Sequence, residues 1–189
     1  MKRKACLLGM AVQLLSCVLA AAAPASTERI AIGADIGAPL AGAFVGASSG
    51  TFSLELPLSR SWAADLDPSF YMASVTGTSI LQLNLEALAR FYIMSLFVAD
   101  AARTAQWGPF ISAGAVAAWE CIRTESSVSV PAFGPMIQVG YRFVFGDEGI
   151  FFEPLLGLMA LLGWQWGPVG ITSCVNAGPT LGVVAGWRF

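Results

Sequence analysis

The chain has no histidine in 189 residues, and its only lysines are Lys2 and Lys4. Charged residues make up 12% of the total. The missing imidazole removes the usual general base and the commonest metal ligand, so histidine-dependent catalysis and histidine metal centres are excluded. No serine sits in a Gly-x-Ser-x-Gly turn, and no phosphate-cradling glycine loop opens a helix. Paired carboxylates alone can perform acid and base chemistry, but here they fall where a salt-bridge network would put them. The reading is of a protein that is not an enzyme and implies no cofactor. The scarcity of basic residues also excludes a nucleic-acid partner.

What is present is apolar: 56% hydrophobic residues, 20 glycines and a mean hydropathy of +0.69. The first segment explains part of this. Lys2-Arg3-Lys4 is followed by an uncharged run from Ala5 to Ala23 and then Ala23-Pro24-Ala25, the order of a secretory signal peptide with cleavage expected after Ala25. Two alternatives stay open, a retained membrane anchor and lipid modification at Cys17. With residues 1–25 removed, residues 26–189 form one domain carrying seven arginines against twelve carboxylates, a net charge of −5. Cys121 and Cys174 are then the remaining cysteines. Export to an oxidising compartment allows a disulfide between them, tying two surface loops.

The period of the apolar residues decides between helices and strands. Phe52, Leu54, Leu56 and Leu58 alternate with Thr51, Ser53, Glu55, Pro57 and Ser59. Leu83, Leu85, Ala87 and Ala89 oppose Gln82, Asn84, Glu86 and Arg90, with Leu88 out of pattern. The same period of two runs through 29–37, 62–72, 137–145 and 180–189. Segments 108–121 and 150–162 are apolar on both faces and are the least patterned. An apolar exported chain can satisfy its backbone in lipid as helices or as a closed sheet. Period two, together with glycine and proline throughout 154–187, disfavours spanning helices. The expected fold class is all-β, an antiparallel up-and-down transmembrane barrel of eight strands.

Short turns are expected at 59–61 and 146–149, and longer connections near 38–50, 73–79, 122–132 and 163–177, all on the other rim. The stretch 95–107 is long where a short connection belongs. Outward alternation puts Phe52, Phe70, Trp119 and Phe133 near one rim and Trp62, Phe91, Phe143, Phe145, Phe152, Trp187 and Phe189 near the other, as two aromatic girdles.

The last strand ends Trp187-Arg188-Phe189, and this terminal phenylalanine resembles the assembly signal of bacterial outer-membrane barrels. The layout is similar to the small eight-stranded barrels of the outer membrane protein W, X and A-domain group. The phrases from Trp107 to Ala115 and from Phe151 to Leu158 look like two strands of that group. The resemblance implies an outer-membrane location, outer-membrane lipid and the barrel-assembly machinery as partners, and Trp187 and Phe189 as the signal.

Inward positions collect Asp35, Glu55, Asp65, Asp67, Glu86, Glu120 and Glu153 against Arg90, Arg142 and Arg188. This set reads either as a plug of ion pairs or as a narrow cation-favouring path. Val116, Leu155, Met159 and Leu161 are inward and apolar. They are ordinary packing or the lining of a pocket for small hydrophobic solutes, the latter implied by the outer membrane protein W group. Two functions follow: a passive, low-conductance channel for such solutes, or a closed barrel whose extracellular loops meet host surface molecules.

Overall fold

The computed structural model describes residues 29–37, 39–40, 42, 47–97, 106–124, 127–145, 149–167 and 170–189. The expected leader, residues 1–25, lies outside them. Eight strands follow in order: β1 (Ala31–Asp35), β2 (Ala47–Pro57), β3 (Trp62–Val75), β4 (Thr78–Tyr92), β5 (Gly108–Arg123), β6 (Ser127–Phe145), β7 (Ile150–Gly167) and β8 (Gly170–Arg188). Each pairs antiparallel with its neighbours in sequence, and β1 pairs with β8 to close an up-and-down barrel. Among the described residues no helix is long and apolar enough to cross a membrane.

The side-chain period of two sets which residues enter the lumen. Inward are the odd residues of β1, β2, β3 and β7 and the even residues of β4, β5, β6 and β8. Leu88 and Val116 are buried on this inner face, while Leu83, Leu85, Ile137 and Leu158 stand exposed outside. Breaks in the ladders coincide with prolines, which have no N–H to donate. The β2–β3 register lapses opposite Pro68, and the β6–β7 register lapses at Pro135 and opposite Pro154.

The connections differ from the sequence expectation. The segments 122–132 and 163–177 are almost wholly strand, and β3 and β4 are joined by Thr76-Gly77 alone. Both residues of that turn have positive φ, 44° and 84°, the pattern of a type I′ hairpin. On this rim only the β1–β2 connection is long. The longest connection, residues 93–107, lies on the opposite rim, the base, with the starts of β1 and ends of β8; it opens with a 3-10 turn at Ile93–Leu96. Glycine, serine, proline and threonine in 122–132 and 163–177 read as loop chemistry, but ladder pairing across long hairpins overrides that weak local preference. With 18 or 19 residues each, β6, β7 and β8 exceed the 5 of β1 and 11 of β2, so the top rim is lopsided.

Candidate functional site

The lumen is crossed in its lower part, toward the base, by an ion cluster to which six strands contribute. Arg142 on β6 donates through Nη1 and Nη2 to both oxygens of Glu55 on β2, each at 2.9 Å, and through Nε to Glu153 Oε2 on β7 at 2.7 Å. Arg90 on β4 reaches Glu55 Oε2 at 3.0 Å, Glu153 Oε1 at 2.8 Å and Asp65 on β3, and its Nε donates to Ser112 Oγ on β5 at 3.2 Å. The Tyr92 hydroxyl donates to Glu55 Oε2 at 2.6 Å, and Ser53 Oγ donates to Asp65 Oδ1 at 3.1 Å. Arg90, Arg142, Glu55, Asp65 and Glu153 are each at most 1% exposed. Planar guanidinium forks suit this task, because each serves two or three carboxylates from a fixed fan of donors.

Aromatic rings support both arginines. The Arg90 guanidinium lies 4.2 Å from the Phe110 ring centroid, and that of Arg142 lies 4.4 Å from Phe151. The rings fit because glycines face them. A Cβ on Gly140 would run into the Phe110 ring, and one on Gly33 or Gly186 would press on Phe151. Below the cluster, Ala31, Phe151 and Val184 pack together, as do Ala63, Tyr92 and Phe110.

The other inward charges lie apart from this knot. Asp67 and Glu86 face each other across β3 and β4, and Gln138 Nε2 donates to Glu86 Oε2 at 3.3 Å. Asp67 Oδ1 and Gln138 Oε1 are buried and take no hydrogen bond within the described residues. Asp35 ties β1 to β8, its Oδ1 accepting from the Gly37 and Val183 amides at 2.7 and 3.2 Å. Arg188 donates to the Gln106 carbonyl at 3.2 Å near the base. Glu120, half-buried, sits higher on β5 beside Gln82.

Val116, Met159 and Leu161 are brought together, with Leu88, Ala118, Ala132 and Met136, as a packed apolar cluster. Leu155 belongs instead to the two clusters below the ion knot. Cys121 is a free thiol, on an outward position of β5, and β6 and β7 separate it from Cys174 on β8. The expected disulfide is therefore not formed: Cys174, expected in the last long connection, lies in β8, with two strands between it and Cys121 at the end of β5. Trp187 and Phe189 are exposed on the outside at the base.

Tyr92, Ser112, Phe110 and Phe151 escaped the sequence reading. Their inward phase was the available signal, together with glycines in the same phase at 33, 140 and 186. No protein-family model, curated protein or solved structure matches the chain. Among the described residues no group of three or more carboxylates or thiols is placed to hold a metal.

Proposed function

We propose that the chain is a small outer-membrane barrel whose lumen is shut near its base, so that it serves as a membrane-embedded structural body with its top rim as the working surface. The observation that carries this reading is the distribution of charge across the wall. Eleven residues of the eight strands are charged; Arg123 alone takes an outward position. A barrel in water has no reason to keep carboxylates off its outside, whereas hydrocarbon penalises them strongly. Outward aromatics support the same reading. Trp62 and Phe91 pair at the base with ring centroids 4.9 Å apart, as do Phe143 and Phe152 at 6.5 Å, while Phe70 and Trp119 flank Leu83 in one row nearer the top. The leader-like segment and the outward apolar alternation of β8 through Leu181, Ala185 and Trp187 favour the outer membrane and handling by the barrel-assembly machinery.

Closure is supported by the ion cluster, because opening a path would require separating buried, multiply bonded charges. The expectation of a passage for hydrophobic solutes finds less support, since Val116, Met159 and Leu161 pack on one another. Working loops also find less support, as three of the four top connections are only two or three residues long. Planar-bilayer recording tests the reading. The natural protein is expected to show no steady conductance, and Arg90→Ala or Arg142→Ala to open one. That current should favour cations, because Asp67 and Glu86 line the way without an arginine of their own. Steady solute flux through the unaltered protein would reject closure and restore the channel.

A further inference from the structure

The lone outward charge has a structured setting at the top rim. Arg123 stands in register with Ser79 on one side and Ser127 on the other, and Ser79 with Ser74. One guanidinium and three hydroxyls thus form a row across β3, β4, β5 and β6 on the outer surface. The next outward row toward the base is Met72, Leu81 and Cys121, and the row after it Phe70, Leu83 and Trp119. A groove of about 470 Å³ is sunk into this surface, lined by Ser48, Met72, Ser74, Leu81, Cys121 and Arg123 among others. Serines recess the wall between the longer Met72 and Arg123 side chains.

We propose that this groove binds the head of a phosphorylated lipid of the outer leaflet, an inference that rests on the membrane reading above. Polarity along the surface matches an anionic amphiphile: hydrogen-bond donors at headgroup level, then apolar side chains, then rings at the boundary of the hydrocarbon. Arg123 supplies charge and a planar fork for phosphate oxygens, and the Ser74 and Ser79 hydroxyls, 3.5 Å apart, add neutral donors. Among the described residues no carboxylate shares the outward face of the strands beside Arg123. The volume falls within the range of small-molecule sites. A lipid lying alongside β3 to β5 would bury its first methylenes against Met72 and Leu81.

The test is native mass spectrometry of the full exported chain, folded in mixed micelles containing lipid A and then stripped of detergent. The unaltered barrel is expected to retain one lipid A. Arg123→Gln should lower retention at least about tenfold, the scale of one charge-assisted contact. Ser74→Phe, which fills the groove but keeps the charge, should lower it comparably. Fully dephosphorylated lipid A, tried on the unaltered protein, should be held as weakly and needs no variant to fold. Equal retention by Arg123→Gln, equal retention of the dephosphorylated lipid, or a second barrel occupying the groove in place of lipid would each overturn the proposal. Vesicle insertion separates the two readings: a barrel that inserts but shows no phosphate preference sinks this inference alone. A chain that remains in the aqueous phase sinks both.

Discussion

Arg142 joins Glu55 and Glu153, which come from strands far apart in sequence, and removing it leaves two carboxylates with less compensation in a buried site. Arg142→Met is expected to cost about 3–5 kcal/mol of folding free energy, read by urea titration in lipid vesicles. Arg142→Lys should recover only part, because one ammonium cannot reproduce the two-pronged contact with Glu55. A loss under about 1 kcal/mol for the methionine variant would show the pairs to be incidental. Gly140→Ala should cost about 1–3 kcal/mol by forcing the Phe110 ring aside, and Phe110→Leu in the same chain should relieve part of it. At this scale the inward charges were legible, since alternation puts a charge on the watery or paired side of a wall. Which charges meet was not. Contact between Arg90 and Glu153 depends on strand order, tilt and the small residues that let two arginines lie in one layer. The inward rings Tyr92, Phe110 and Phe151 were missed because outward girdles already accounted for so many aromatics.

Each strand carries its own balance between local preference and pairing. Thr76 is a β-branched residue held at φ 44° in the two-residue turn between β3 and β4. Thr76→Asn, whose side chain tolerates that conformation, should raise stability by about 1 kcal/mol in the same urea titration. An unchanged or lowered midpoint would mean the turn is not type I′. Strand existence was legible wherever one face is apolar and the other polar, as in β2 and β4. It was faint in β5 and β7 because Val116, Ala118 and Leu161 fill the lumen with apolar side chains, erasing the contrast on which period detection depends. Strand ends were misplaced for a different reason. The tops of β6, β7 and β8 are rich in serine, glycine and proline, and their extended backbone is held by hairpin partners rather than by their own residues.

For the whole molecule the decisive question is which solvent meets the outward stripe. Leu156 is 50% exposed in the middle portion of β7. Leu156→Arg should cost about 2–4 kcal/mol in a bilayer, where a guanidinium must be dragged into hydrocarbon. On a surface facing water the same change would be within about 0.5 kcal/mol of neutral. Fold class was the most legible feature of all, since an eight-strand closed sheet follows from the length of residues 26–189, period and turn spacing together. Loop asymmetry was the least, because composition cannot distinguish a loop from a hairpin that continues upward.

The most direct measurement places a fluorescent label on single cysteines introduced in turn from Leu155 to Met159, in residues 26–189 with Cys121 and Cys174 replaced by serine, reconstituted with lipids brominated on their acyl chains. The account predicts strong quenching at 156 and 158 and weak quenching at 155, 157 and 159. Uniform quenching along the segment, or labels that bromine never reaches because the protein does not enter the vesicles, would contradict it.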